Sequence, residues 1–282
     1  MKILNGSERV PVIYTAHHAS HDFHELQSRC ALSDEEVIRF SDYGTDLTVP
    51  RNGLAALIAE HSRALGDLNR NPDDAGRFQD RDYAKPDRHP IWLPGMGLTD
   101  TEKEALHQRF YVQFHRALTE TIVNADKPLL VVAWDNTANY LIGKNDTGDE
   151  VTMPGFVLSN RGCEESGKQG EEHISCEPEL LERLAEEFRN ELTKRDLPHD
   201  VHMNLVYKGG YVARTYSTLR NELSLTEGGI THPVQSLQLE YNTAITHDQV
   251  TLAPNLEAIR LLREAFEAAI EATLLAVPLS TS

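Results

Sequence analysis

Residues Pro128–Trp134 read PLLVVAW, and the chain passes at once into DNTANY, Asp135–Tyr140. A short continuous apolar run, rich in valine and closed by a polar cluster, is the signature of a strand buried on both faces. Strands of this kind belong to parallel sheets covered by helices, because a face open to water would impose alternation. The abrupt change at Asp135 carries a second message. In open α/β sheets, ligands bind outside the carboxyl ends of the strands.

The neighbouring segments fit the same plan. VPVIYTA (Val10–Ala16) predicts a strand that runs into HHASHD (His17–Asp22). VHMNLVY (Val201–Tyr207) and VQSLQLEYN (Val234–Asn242) predict two more. Helices are predicted between them. LSDEEVIRF (Leu32–Phe40) offers Ser33 as a cap with Glu36 three residues on. Asn52–Pro72 begins as a helix, with Leu54, Leu57 and Ile58 spaced for one face, and ends in a loop. Leu98–Ala125 is amphipathic, capped by Thr99 or Thr101. Ser175–Asp196 and Asn255–Ala276 complete the set. Pro72–Leu98, polar and punctuated by Pro86, Pro90 and Pro94, reads as a long irregular loop. Strands alternating with helices predict an α/β fold with a mostly parallel sheet. Without a repeat or a shift in composition, one domain over 1–282 is expected.

Composition narrows the function. The 282 residues are 40% hydrophobic and 25% charged, ordinary values for a globular protein. The net charge of −17 opposes nucleic acid and anionic membrane as partners. It leaves room for a small carboxylate substrate held by a local arginine cluster. Cys30, Cys163 and Cys176 are odd in number and far apart, so neither a disulfide framework nor a cysteine zinc site is expected. Reduced thiols and the lack of a signal-peptide pattern give a cytoplasmic protein as the expectation. No apolar stretch approaches the ~18 residues of a membrane span.

The polar clusters lie where a strand-end site wants them. His17, His18 and His21 supply imidazole, which binds divalent metals in its neutral form. Asp42 and Asp46 in SDYGTD, and Asp135, are the acids available to complete such a site, although each alone suits a cap or turn better, positions that aspartate favours. DLNR (Asp67–Arg70), with Arg63 upstream, offers arginine forks and an asparagine for a carboxylate. In KGGYVARTY, Gly209 and Gly210 permit a tight turn or close ligand approach ahead of Tyr211 and Arg214. Glu240 is the one acid inside an apolar strand pattern, which marks it as a candidate general base with a displaced pKa. No GxSxG elbow or phosphate-binding glycine loop is present, and Cys163 has no evident base.

Taken in order, HHAS, SDYGTD, HSRALGDLNRNP, FYVQFHRAL, AWDNT, LSNRGC, NLVYKGGYVARTY and LQLEYN resemble the N-formylglutamate amidohydrolase family, a relative of the zinc carboxypeptidases and aspartoacylases. The likeness runs from Val10 to Ile270. It implies a three-layer α/β/α fold of zinc-carboxypeptidase type, with a mixed, mostly parallel sheet. It also implies one catalytic divalent metal, zinc in the first instance, and hydrolysis of an N-acyl amide beside a carboxylate. By this resemblance His18, Asp42 and Asp46 match the metal-site segments, Asn69 and Arg70 the substrate-carboxylate grip, Arg63 the preceding arginine, and Glu240 the general base. The chain departs from the family at WDNT, where Asp135 replaces a histidine, and three residues after His18 comes His21 rather than a glutamate. The segment between Asp46 and Ser62 is also shorter. The resulting expectation is a metal held by His18, Asp42 or Asp46, and Asp135. Glu240 acts as base, Arg63 steadies the oxyanion, and Asn69, Arg70, Arg214 and Tyr211 bind the substrate. The alternatives are a metal-dependent peptidase or amidase with another substrate, or a carboxylate-binding relative that has lost its metal.

Overall fold

The computed structural model describes residues 1–81, 89–170, 173–220, 230 and 232–279. Its centre is β4 (Leu129–Thr137), the strand read from PLLVVAW, with every residue buried. Around it, β1 (Lys2–Asn5), β2 (Val12–Ala16), β3 (Ala55–Ile58), β7 (Phe156–Ser159), β8 (Val201–Met203) and β9 (Val234–Asn242) form a seven-stranded sheet in the order β1-β3-β2-β4-β9-β7-β8. Strands β3, β2, β4 and β9 are mutually parallel. β1 pairs antiparallel with β3 and β7 antiparallel with β9, while β8 is parallel to β7, so the sheet is mixed as expected. A small hairpin, β5 (Leu141–Lys144) with β6 (Glu150–Thr152), stands apart between β4 and β7.

Side-chain alternation along β4 builds two cores. Leu130, Val132 and Trp134 join Leu237, Leu239 and Tyr241 of β9 under α5 (Pro178–Lys194) and α7 (Leu256–Ala276). Phe266 of α7 packs edge-on against Trp134, ring centroids 4.9 Å apart, and against Phe188 of α5 at 5.2 Å. Leu129, Val131 and Ala133 face the other way, onto Phe114, Leu118 and Ile122 of α4 (Val112–Ala125). Burying each of these large side chains contributes about 1.5–3 kcal/mol. The outcome is a three-layer α/β/α sandwich. Among the described residues no helix is long and apolar enough to cross a membrane.

The capping signals act as read. Ser33 and Glu36 form a reciprocal capping box at α1 (Asp34–Phe40), and Thr99 and Glu102 do the same at α3 (Asp100–Leu106). From α3 the helix continues through a π-helical turn, His107–Tyr111, into α4. Pro178 takes the first turn of α5, where a missing N–H does no harm.

Two expectations are corrected. The segment from Asn52 does not begin a helix; Ala55–Ile58 is strand β3 between β1 and β2. Ala55 and Leu57 enter one core while Ala56 and Ile58 enter the other, so the period is two. With both faces apolar that period is invisible, and Leu54, Leu57 and Ile58 mimic a helical stripe. The strand predicted over Val201–Tyr207 ends at Met203, because the chain turns at Asn204, whose φ is +54°.

Candidate active site

The face of the sheet covered by α4 changes character along its strands. It is apolar at Ile13, Val131, Ala133 and Val234. At the carboxyl ends it becomes His17 just past β2, Asp135 on β4, and Gln238 and Glu240 on β9. Register enforces the meeting, since Asp135 lies opposite Glu240 and Ala133 opposite Gln238. A cavity of about 210 Å³ opens there, lined by His18, Asp42, Arg63, Asp135, Tyr207 and Glu240 among others.

His18 lies between two acids. Its Nε2 is 2.7 Å from Asp67 Oδ1 and its Nδ1 is 3.3 Å from Asp42 Oδ2 and 3.7 Å from Asp135 Oδ1. Asp42 is drawn inward by its own N–H, which donates to the His18 carbonyl at 3.0 Å. Arg63 Nη1 donates to Asp42 Oδ1 at 3.1 Å. Asp67 further accepts from the Asn69 N–H at 2.9 Å and from Gln79 Nε2 at 3.1 Å. On β9, Gln238 Nε2 donates both to Asp135 Oδ2, at 3.0 Å, and to Glu240 Oε1, at 2.7 Å. Thr137 Oγ1 donates to Glu240 Oε2 at 3.0 Å.

This packing sets the charges. Burial would lower the His18 imidazole, yet Asp67 and Asp42 overcome it and push it up to about 10. Burial would raise Asp42, but His18 and Arg63 hold it at about 2. Asp135 is pushed well up by burial and then by the charge of Asp42. Glu240 is likewise raised, by burial and then by Asp135. His17 is driven down by burial and by its neighbour His18, so it stays neutral. The two acids bridged by Gln238 thus resist carrying charge together in the absence of a further positive group.

A cation is the group these residues fit. One donor atom each from His17, His18 and Asp135 lies within 4.8 Å of the others. Asp135 Oδ1 is buried with no hydrogen-bond partner. His17 Nε2 is 2.9 Å from Asp135 Oδ2, but without the alignment of a hydrogen bond. Two imidazoles and a carboxylate around one point, with room left for another ligand, match the donor set of catalytic zinc sites. Asp67 holds Nε2 of His18, as carboxylates behind metal-binding histidines do, while Nδ1, which meets Asp42 Oδ2 at 3.3 Å, is the nitrogen nearest Asp135 Oδ1.

The other predicted residues fall less uniformly. Arg70 lines the cavity, half-exposed, its guanidinium on Asp67 and Asp74 at 3.3 Å each. Asn69 also lines it, but its side chain is committed: Oδ1 accepts from the Val212 N–H at 2.8 Å and Nδ2 donates to Gln238 at 3.3 Å. Gly210 packs against it so closely that a Cβ there would meet Asn69 Nδ2 at 2.2 Å. The close approach that the glycine pair permits is therefore to Asn69.

Three residues are not brought to the cavity. Asp46 is exposed, because Gly44, at φ +81°, starts the short helix α2 (Thr45–Thr48), which turns Asp46 toward a separate surface hollow shared with His21. Arg214 is exposed on α6 (Tyr211–Thr215). Tyr211, half-buried on the same helix, sets its ring 5.7 Å from His115 and lies outside the cavity lining. Sequence reading gave no role to Asp67, Gln238 or Tyr207 and left His17 among three histidines. Gln238 had a signal: two residues before Glu240 on a strand, it shares the same face.

A profile of the N-formylglutamate amidohydrolase family matches residues 10–226. No curated protein matches the chain. Among solved structures, the fold is similar to the crystal structure of N-formylglutamate amidohydrolase from Ralstonia eutropha JMP134, with a TM-score of 0.69 at 20% identity over 97% of each chain. It is also similar to a gene product of Agrobacterium tumefaciens, with a TM-score of 0.63 at 16% identity over 98% of this chain and 95% of that one. At such identities the structures speak for the fold, while the family match covers the segments that carry His18, Asp42, Arg63, Asp135 and Tyr207 and ends before Gln238 and Glu240 of β9. The chain belongs to the N-formylglutamate amidohydrolase family and is an amidohydrolase.

Proposed function

We propose that the chain hydrolyses the N-acyl amide of a small amino acid, N-formylglutamate in the first instance, with a divalent cation, zinc by preference, held by His17, His18 and Asp135. The observation that carries this reading is the convergence, at one end of the sheet, of three donor residues, two of which line the cavity, and a buried glutamate fixed on both oxygens. A cavity of about 210 Å³ suits a small acid, being below the ~300–1,000 Å³ of pockets for larger ligands. When bound, the cation supplies Lewis acidity, polarising the acyl oxygen and acidifying water.

The rest of the work belongs to side chains. Glu240, oriented by Gln238 and Thr137, takes a proton from the attacking water and returns it to the amide nitrogen as the C–N bond breaks. Arg63 places positive charge beside the reacting centre. Arg70, at the half-exposed side of the cavity, meets the substrate carboxylate, and Asn69 braces the loop that carries it. Fixing the substrate at both ends brings its amide to Glu240.

Formate released from N-formylglutamate tests this directly. Release is expected to stop on chelation and return with zinc. Glu240→Gln should lower the rate about 10²–10⁴-fold. Undiminished turnover by that variant would sink the assignment. Glutamate binding without any hydrolysis would favour a carboxylate-binding relative instead.

A further inference from the structure

Beyond Met203 the backbone does something unusual. Val206 has φ +60°, and the Tyr207 N–H reaches the Leu205 carbonyl at 2.6 Å across it. That closes a three-residue turn of the rare, strained kind. A β-branched residue at positive φ is a steric outlier. Such strain, of order 1–3 kcal/mol, persists only where the surroundings impose it, and it gathers at functional sites.

Here the surroundings do impose it. Ser159 Oγ donates to the Tyr207 carbonyl at 2.6 Å. Val206 and Tyr207 pack with Met153, Val157 and Leu205, joined by Ile142 and Val151 of the hairpin. Gly143 leaves the space Val206 needs, since a Cβ there would stand 2.9 Å from Val206 Cγ1. The product of this bracing is a tyrosine on the cavity wall. Its phenol lies beside Thr137 and within electrostatic reach of Glu240. Burial, and then the charge of Glu240, raise its pKa, so it keeps its proton and remains a donor.

Given the hydrolase reading above, we propose that Tyr207 is a catalytic residue whose phenol O–H donates a hydrogen bond to the acyl oxygen as the tetrahedral intermediate forms, held there by the strained turn at Val206. Water oxygen bonds to the acyl carbon, the carbonyl π pair moves onto the acyl oxygen, and the water proton goes to Glu240. The phenol keeps its own proton while bonding the oxyanion. As the carbonyl reforms, the C–N bond breaks and the proton on Glu240 passes to the nitrogen.

Tyr207→Phe removes one oxygen and keeps the packing. On N-formylglutamate its kcat should fall about 10²–10³-fold, as for loss of an oxyanion donor, with KM changed less than about threefold. A wild-type kcat overturns the proposal, and so does a raised KM with kcat unchanged. Val206→Gly relaxes the turn and should lose part of the same kcat while the protein stays folded by circular dichroism; full activity would remove the role of strain. A binding measurement needs no turnover and so separates this proposal from the hydrolase reading. By calorimetry, a phosphinate analogue of the tetrahedral N-formyl group should bind Tyr207→Phe at least about tenfold more weakly than wild type, with glutamate affinity equal in both. Equal affinity for the analogue overturns the role of the phenol.

Discussion

Asp135 and Asn136 are neighbours on β4, both buried, and they point to opposite faces of one sheet. Asn136 lies on the side of α5 and α7, where its Nδ2 donates to the Tyr43 carbonyl at 2.9 Å and to Tyr241 Oη at 3.1 Å. Beside it Trp134 Nε1 donates to Thr48, which also meets Tyr241. The side-chain groups of Asn136, Trp134, Thr48 and Tyr241 are matched to one another there, and they close the end of a core. Asp135 faces the α4 side and retains an unpartnered oxygen among Asp42, Glu240 and two imidazoles. Buried polar groups are normally satisfied, so the mismatch marks the face built for something other than stability.

If that contrast is real, mutations on the two faces should separate activity from stability. The largest effect is expected from Asp135→Asn. It replaces a carboxyl whose ionisation burial and Asp42 oppose, so formate release should fall at least about 10²-fold while the melting temperature holds or rises. Retained activity with lower stability would reverse the reading. Phe266→Ala, on the opposite face, should lose about 3–5 kcal/mol in denaturant titration, with turnover per folded molecule unchanged.

A third effect comes from pH. Burial lowers His61 to about 4 and His115 to about 3, both on the site side of the sheet. Unfolded, each binds its proton near 6.5, so at intermediate pH the unfolded chain holds more protons and stability rises with pH. Their contribution is whole above about pH 6.5 and is lost as pH falls toward 4, by about 3 kcal/mol for each. Unfolding curves at pH 7 and pH 5 in the same salt measure it, and identical curves would show that these rings are not held neutral. The smallest effect is that of Asn136→Ala, about 1–3 kcal/mol from orphaned partners, with activity nearly intact.

How far all this was legible in the sequence differs between the same two faces. The apolar runs of β4 and β9 announced a covered sheet, and Ser33–Glu36 and Thr99–Glu102 announced their helices, because those signals are local. β3 was hidden because Ala55–Ile58 is apolar on both sides, which erases alternation. Asp42 and Asp46 looked equivalent, and only the turn at Gly44 decides which goes inward. The partners of His18 were hardest to foresee. Asp67 lies 49 residues away, and nothing local shows that it approaches Nε2 rather than solvent. Tyr207 was hidden for another reason: VHMNLVY reads as one strand, and nothing in it shows the turn at Asn204 or the steric outlier at Val206.

The central claim is that His17, His18 and Asp135 form a cation site beside Glu240. Calorimetric titration of zinc into the chelator-treated wild type and Asp135→Asn tests it most directly. One saturable site in the wild type, weakened at least about tenfold in the variant, is the result predicted here. Equal zinc binding by both proteins, or hydrolysis that survives complete chelation, would contradict it.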